Sequence, residues 1–483
     1  MFLGLDLGTS GIRALLIDDA QQIIGSATAD LTVARPHPGW SEQDPADWIA
    51  AAAAAIAQVR QAHPSEFSAL RGIGLSGQMH GATLYDAADR ALRPSILWND
   101  TRAAAEASAL DAQPAFRDIT GNIVFPGFTA PKLVWVARHE PEVFAKVAKV
   151  LLPKDALRLW LTGDHLSEMS DASGTSWLDI GARDWSDKLL AATGMSRDHM
   201  PGLIEGTEAG GQVRPALLGD WGLTGPVVVA GGAGDNAASA LGMGVLTEGQ
   251  AFVSLGTSGV LFVANDAWRP RADSAVHAFC HALPGRWHQM GVILSAADAL
   301  NWHARASHAT AQTLAQEAGD DLRAPGPVMF LPYLSGERTP HNDARIRGAF
   351  VGLGHEAARP DLTRAVMEGV AFALADNLHA LHAAGSRPDR VMAIGGGAQS
   401  PYWLAAIATA LDLPVDVPVH GDFGAAFGAA RLGLIAASGA DPVAICQPPA
   451  TARTILPDPS LRPAYAAAHD RFRRLYAALK PLT

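Results

Sequence analysis

The sequence predicts an α/β protein built twice over, with two related halves facing one another across a cleft. Three observations predict it. The pentapeptide Leu-Gly-Thr-Ser-Gly occurs at residues 7–11 and again at residues 255–259, each time directly after a short apolar run. Both halves then alternate apolar strand, glycine-rich loop and helix. At 483 residues the chain is also too long for a single hydrophobic core, so two or more domains are expected.

The opening alternates as a hairpin does. Residues 2–6 read as a strand, residues 12–17 as its partner after the Gly-Thr-Ser-Gly turn, and residues 23–27 as a third strand after Asp18-Asp19. Pro36, Pro38 and Gly39 mark a loop, and Ser41 with Asp44-Pro45 starts an alanine-rich helix running through Trp48 to about Val59. Residues 71–76 form a strand with interleaved glycines, and residues 77–80 the loop after it. To about residue 225, apolar helical segments such as 144–152 and 155–161 alternate with short loops. A second unit opens near Pro226 with the buried strand 227–230, a turn at 231–236 and a helix start at 237–241. A long helix is expected over residues 362–384, a strand over 391–394, then Gly395-Gly396-Gly397. Asp422-Phe423-Gly424 precedes a small-residue helix at 425–437, and the tail after Pro457 reads as a terminal helix.

Two patterns are discarded. Gly72, Gly74 and Gly77 satisfy the dinucleotide spacing, but they lie inside a strand instead of following one. His277, Cys280 and His281 have ligand-like spacing with nothing else in the chain to complete a set. Cys280 and Cys446 are the only cysteines, so no disulfide framework is expected. A net charge of −11 argues against nucleic acid or an anionic membrane as the main partner. The N-terminal run lacks a basic region and Asp6 interrupts it, and no apolar stretch reaches spanning length, so a cytoplasmic location is expected.

A strand feeding a Gly-Thr-Ser-Gly turn exposes consecutive N–H groups and hydroxyls, which suit phosphate oxygens. Gly8, Thr9, Ser10 and Arg13 are expected to form one wall of a polyphosphate site, and Gly256, Thr257 and Ser258 the other. Asp6 precedes the first turn where Ser254 precedes the second, so only one loop carries a carboxylate, as a Mg²⁺ site requires. Asp235 follows a buried strand and a glycine-rich turn, which puts its carboxylate at the strand's C-terminal end, facing the cleft. An aspartate there is often a helix N-cap. Beside paired phosphate loops it is the candidate general base for phosphoryl transfer to an alcohol, without needing a raised pKa, and it also faces the metal. Gly395, Gly396 and Gly397 let a flat ring such as adenine lie against backbone. Gln78, Met79 and His80 offer polar and apolar contacts for a polyol or sugar, and Trp98 and Asp100 belong to a second such cluster.

These residues resemble the FGGY carbohydrate kinases over essentially the whole chain. The resemblance rests on Asp6-Leu-Gly-Thr-Ser-Gly11, Trp40-Ser-Glu-Gln-Asp44, Gly77-Gln-Met-His-Gly81, Trp98-Asn-Asp100 and Gly127-Phe-Thr-Ala-Pro-Lys132. It continues through Gly234-Asp-Asn236, Ser254-Leu-Gly-Thr-Ser-Gly259 and Ser335-Gly-Glu-Arg-Thr-Pro340, and the family's two signature stretches match residues 127–139 and 348–368. It implies two ribonuclease-H-like, actin-type domains, over residues 1–245 and 246–483, with ATP and sugar between them. It also implies that Asp235 is the base, that Met79, His80, Asp235 and Asn236 contact the sugar, that Asp6 serves Mg²⁺, and that residues 395–397 meet adenine. The Gln-Met-His loop is similar to that of the kinases acting on D-xylulose, where glycerol kinases carry an Arg-Glu pair. Phosphorylation of D-xylulose at O5 by ATP is therefore expected, with ribulose or xylitol as alternative acceptors and a homodimer allowed. The turn before Asp235 departs from the family's Gly-Gly-Gly-Asp by one added residue. A non-catalytic ATP switch is the competing class, but it would need a peptide-binding module or a basic DNA-binding segment in addition.

Overall fold

The computed structural model describes residues 1–419 and 423–483, so Asp422 lies outside the described residues. Strands β1 (Phe2–Leu7), β2 (Gly11–Ile17) and β3 (Ile23–Asp30) form the expected antiparallel meander. Helix α1 (Pro45–Ala62) follows, with the Asp44 side chain accepting from the Ala46 N–H and Pro45 in the first turn, where its missing donor costs nothing. Strand β4 (Gly72–Gly77) lies parallel to β1. After helix α2 (Pro153–Thr162), strands β5 (Ala209–Gln212), β6 (Val228–Ala230) and β7 (Ala233–Gly234) complete a seven-stranded sheet ordered β5-β6-β4-β1-β2-β3, with β7 also pairing β4. Helix α3 (Asp235–Met243) leaves from the end of β7.

The second sheet repeats this plan. Strand β8 (Ala251–Leu255) turns through the second Gly-Thr-Ser-Gly into antiparallel β9 (Gly259–Asn265). Strands β10 (His277–Cys280) and β11 (Trp287–Ile293) extend that edge, and helices α4 (Ala297–Ala306) and α5 (Arg359–Ala383) follow. Strand β12 (Val391–Ile394) lies parallel to β8, as β4 does to β1. Helix α6 (Pro401–Leu411) and strands β13 (Val415–Pro418) and β14 (Thr451–Ile455) bracket helix α7 (Ala425–Ser438), and helix α8 (Arg462–Leu479) ends the chain. No helix among the described residues is long and apolar enough to cross a membrane.

Two expectations need correction. Residues 144–152 are not one helix: a short helix ends at Phe144, and Lys149–Leu151 is a strand paired with Thr83–Tyr85. A three-residue run carries no period, and cross-strand pairing decides its conformation. The segment after Pro226 does not open a second unit either. Strand β6 pairs parallel with β4, inside the first sheet.

The glycines of the rejected dinucleotide pattern have a packing role. Helix α7 crosses the first sheet so closely that a Cβ on Gly74 would lie 1.7 Å from the Ala429 carbonyl oxygen, and one on Gly4 1.9 Å from that of Ala426. Both obstructions are backbone, which cannot rotate away. Substituting Gly74→Ala is expected to destabilise the protein by about 3 kcal/mol, the upper end of ordinary overpacking costs. Urea unfolding of the variant measures this, and a midpoint equal to wild type would refute the contact.

Candidate functional site

The site forms where β1, β4 and β7 end side by side. Asp6 on β1 is in register with Ser76 on β4, which is in register with Ala233 on β7, two residues before Asp235. The added residue in the turn before Asp235 is visible as a bulge. Val229 pairs with Ile73 but Ala233 pairs with Ser76, one residue out of step. Gly232 absorbs the step with φ of 89°, a conformation that favours glycine. Beyond the bulge the strand is back on the sheet, so Asp235 still emerges at the strand end. Gly234 is held there by its N–H, which donates to Ser170 Oγ at 3.0 Å, while Ser170 Oγ donates to the buried Glu168 at 2.8 Å.

Asp235 does not cap its helix; Gly234 occupies the N-cap position. Asp235 Oδ1 accepts from the Asn236 N–H at 2.7 Å and from Asn236 Nδ2 at 2.9 Å, and Oδ2 has no partner among the described residues. Burial, and second to it the negative charge of Asp6, push the Asp235 carboxyl up to about 6. The sequence reading required no such rise; the neighbouring carboxylate causes part of it. Burial also raises Asp6, against the opposing effects of the Ser76 hydroxyl, which donates to Asp6 Oδ1 at 2.9 Å, and of the Arg13 cation. Two enclosed carboxylates that repel each other are a hard oxygen donor set, and they fit a Mg²⁺ ion.

A cavity of about 160 Å³ opens beside Asp235, lined among others by Met79, His80, Trp98, Asn236 and Ser258. Six of the residues singled out in the sequence therefore meet in one place, from segments as much as 179 positions apart. His80 is held by several contacts. Its Nδ1 lies 2.7 Å from the Gly174 carbonyl, which can only accept, so Nδ1 carries the proton and Nε2 is left as an acceptor. Burial pushes its pKa down to about 3, so the ring stays neutral. It stacks on Phe128 at 4.5 Å, and its backbone sits at φ of 71°. That conformation is held by Lys132 Nζ and the Thr129 hydroxyl, which donate to the His80 carbonyl at 2.9 and 3.1 Å. The lysine of the Gly127–Lys132 motif thus positions the loop from behind.

Gln78 and Asp100 do not line the cavity. Gln78 accepts from the Thr9 hydroxyl and donates to Gln43, tying the first phosphate turn to the sheet. Asp100 is buried, accepting from the Ser41 N–H and from Arg102, whose guanidinium lies 3.6 Å from the centre of the Trp40 ring. Both make hydrogen bonds to protein partners that brace the site. Sequence reading in turn assigned no role to Arg338, His277, Phe279, Met290, Val292 and Val260, which complete the lining. His277 lay in the discarded metal pattern; it faces Arg338, 3.4 Å from Nη1. Arg338 sits over the Phe125 ring at 4.4 Å, and burial pushes it down to about 10. Alternation along β10, β11 and β9 was the available signal, but nothing local says which face meets the cleft.

The two Gly-Thr-Ser-Gly turns both reach this cavity. Trp98 Nε1 donates to the Thr9 hydroxyl at 2.9 Å, linking the cavity wall to residues 8–10, and Ser258 belongs to the second turn. The carbonyls of Gly256 and Thr257 accept from the first N–H groups of α4 and the residue before it. Gly395, with φ of 91°, lies against the Leu255 backbone. Gly396 and Gly397 border a separate cavity of about 460 Å³ with Leu300, Gln399, Ser400 and Trp403.

The profile of the N-terminal domain of the FGGY family of carbohydrate kinases matches residues 1–242, and that of its C-terminal domain residues 251–437. The curated xylulose kinase of Escherichia coli K12 is 49% identical over 487 residues, with both chains fully covered. A crystal structure from Brucella ovis, described as a xyloylose kinase, is 66% identical and superposes with a TM-score of 0.98 over the whole of both chains. A xylulose kinase structure from Rhodospirillum rubrum is 30% identical, with a TM-score of 0.90 over 100% of this chain and 99% of its own. With both domain profiles matched in order and relatives similar from end to end, this chain belongs to the FGGY family of carbohydrate kinases.

Proposed function

We propose that this carbohydrate kinase transfers the γ-phosphoryl group of ATP to O5 of D-xylulose, with Asp235 as the general base. The choice of sugar is carried by full-length similarity to the xylulose kinase of Escherichia coli. The mechanism is carried by one observation: Oδ2 of Asp235, without a partner among the described residues, beside a cavity walled by Asn236, His80 and Arg338.

The sugar occupies that cavity, its carbon face against Met79, Trp98, Phe279 and Met290. His80 Nε2 accepts from one hydroxyl and Arg338 donates to a carbonyl or hydroxyl oxygen, so buried polar groups on the wall reject a sugar lacking the matching group. The polyphosphate lies across Gly8, Thr9 and Ser10 on one side and Gly256, Thr257 and Ser258 on the other, with Arg13 beside Asp6. Adenine rests against residues 395–397 in the larger cavity. Asp6 and Asp235 would hold Mg²⁺, which supplies charge neutralisation to the phosphates when bound. As the O5 oxygen bonds to phosphorus, the bond from phosphorus to the bridging oxygen breaks, ADP leaves, and the O5 proton passes to Asp235. A raised carboxyl accepts a proton more readily than an exposed one. Trp98 is 42% exposed, so this cavity is open to solvent, and domain closure is needed to keep water from replacing the sugar as acceptor.

The test is ADP release with Mg·ATP, first without sugar and then across ketopentoses, pentitols and glycerol. D-xylulose is expected to stimulate release at least 100-fold over the sugar-free rate and above every stereoisomer, giving a product phosphorylated on the C5 oxygen by ³¹P NMR. Greater stimulation by another sugar would overturn the substrate, and none by any would overturn the kinase mechanism.

A further inference from the structure

A second cluster of metal-ligating side chains lies far along the chain from the cleft residues, between α5 and α8. Asp376 and His379 stand three residues apart on α5 and so share a face, and His469 meets them from α8. One ligand atom from each lies within 4.8 Å of the others. Asp376 is 3% exposed. Its Oδ1 accepts from His469 Nε2 at 2.9 Å and lies 3.4 Å from Arg473 Nε. Its Oδ2 is buried with no hydrogen-bond partner among the described residues. A carboxylate oxygen left in that state is costly unless something cationic meets it.

His379 is prepared for the same role. Its Nδ1 lies 2.8 Å from the Ala375 carbonyl, so Nδ1 carries the proton and Nε2 keeps its lone pair. A backbone carbonyl on the far ring nitrogen is the usual support of a metal-bound imidazole. His379 is exposed and edges a cavity of about 350 Å³ with His469, Asp412, Asp470, Arg462 and Arg473, which gives a cation a route in. Asp412 and Asp470 stand at the rim, Asp470 paired with Arg474 at 3.2 Å. Of the two arginines, Arg462 is paired with Asp412, and Arg473 is mostly exposed and free to turn to water.

We infer that Asp376, His379 and His469 form a binding site for one divalent cation of the zinc type, joining the C-terminal helix to α5. Two imidazoles and a carboxylate suit Zn²⁺ or Co²⁺ over Mg²⁺ or Ca²⁺, with a fourth position left for water. Bonds of about 2.0–2.2 Å put tetrahedral ligands about 3.4 Å apart, a separation that small side-chain rotations reach from the present one. The cation takes Asp376 through its carboxylate, meeting the orphaned Oδ2, and replaces the proton on His469 Nε2, so that this ring then carries its proton on Nδ1.

The experiment titrates the chelator-stripped full-length protein with CoCl₂ and ZnCl₂, without ATP or Mg²⁺. One equivalent of Co²⁺ is expected to give the visible d–d absorption of a four-coordinate centre, displaced by Zn²⁺, and Zn²⁺ should raise the melting temperature. His379→Ala leaves the His469–Asp376 pair intact, so it should fold, keep its kinase activity and weaken binding at least tenfold. Asp6→Asn, which alters the other set of carboxylates able to hold a divalent ion, should leave the Co²⁺ spectrum unchanged. Should His379→Ala fail to fold, His379→Gln takes its place, since it keeps the size of the side chain and removes the imidazole. Absence of the d–d bands, or a spectrum lost in Asp6→Asn and kept without the imidazole of residue 379, would overturn the site.

Discussion

Asp235→Asn is expected to lower the kcat for sugar phosphorylation by about 10³-fold or more, within or above the usual span for a general base. ATP should still bind, because the variant keeps the fold and both Gly-Thr-Ser-Gly turns. The amide retains an oxygen for the Asn236 N–H and Nδ2, so the loss is one of proton acceptance. A second readout separates this from damage to the structure. The Asp235 carboxyl is raised above its ordinary 3.8 to about 6, so the folded protein prefers the protonated form. The stability associated with that preference is complete below pH 4 and is lost as pH rises through 6. At pH 8 without metal, the asparagine variant is therefore expected to be more stable than wild type, by up to about 3 kcal/mol at about 1.36 kcal/mol per pKa unit. At pH 4 the advantage should vanish. Thermal unfolding at the two pH values, beside a kinase assay, decides it: a variant with near-normal turnover would remove Asp235 from the mechanism.

Asp6→Asn carries the second large effect. Loss of this carboxylate should raise the Mg²⁺ concentration needed for half-maximal activity by at least the 10–100-fold that loss of a supporting group costs a metal site. It should also move the acid limb of the pH–activity profile to lower pH, because the Asp6 charge is the second cause of the rise at Asp235. Burial remains, so the limb should move only part of the way to 3.8. An Mg²⁺ dependence equal to wild type would count against Asp6 as a metal carboxylate, whatever happened to the rate.

The sequence determined this architecture wherever the signal was local. Strand, turn and hairpin at residues 2–17 recur at 251–265 because each needs only apolar alternation and a Gly-Thr-Ser-Gly turn. Helix α1 was legible from Asp44, Pro45 and its alanines, and Asp235 from a buried run ending in glycines. The repeat also carried the plan of the whole, since both copies join equivalent strands of two similar sheets. Residues 149–151 were not legible, because a three-residue segment takes its conformation from the strand it pairs with.

Tertiary structure alone decided which polar groups remain free. Gln78 and Asp100 read as sugar contacts because amide and carboxylate suit sugars, and only the fold shows that Thr9, Gln43, Ser41 and Arg102 bind them as well. Arg338 read only as part of a motif and His277 as part of a discarded metal pattern, and packing aims both into the cavity. The glycines of β4 looked like a nucleotide fingerprint until helix α7, more than 350 residues later, was found against Gly72 and Gly74. The physical reason is the same in each case. Residue type and spacing set what a side chain is able to do, whereas hydrogen-bond partners and close contacts come from segments distant in sequence, and they decide whether it is left free to do it.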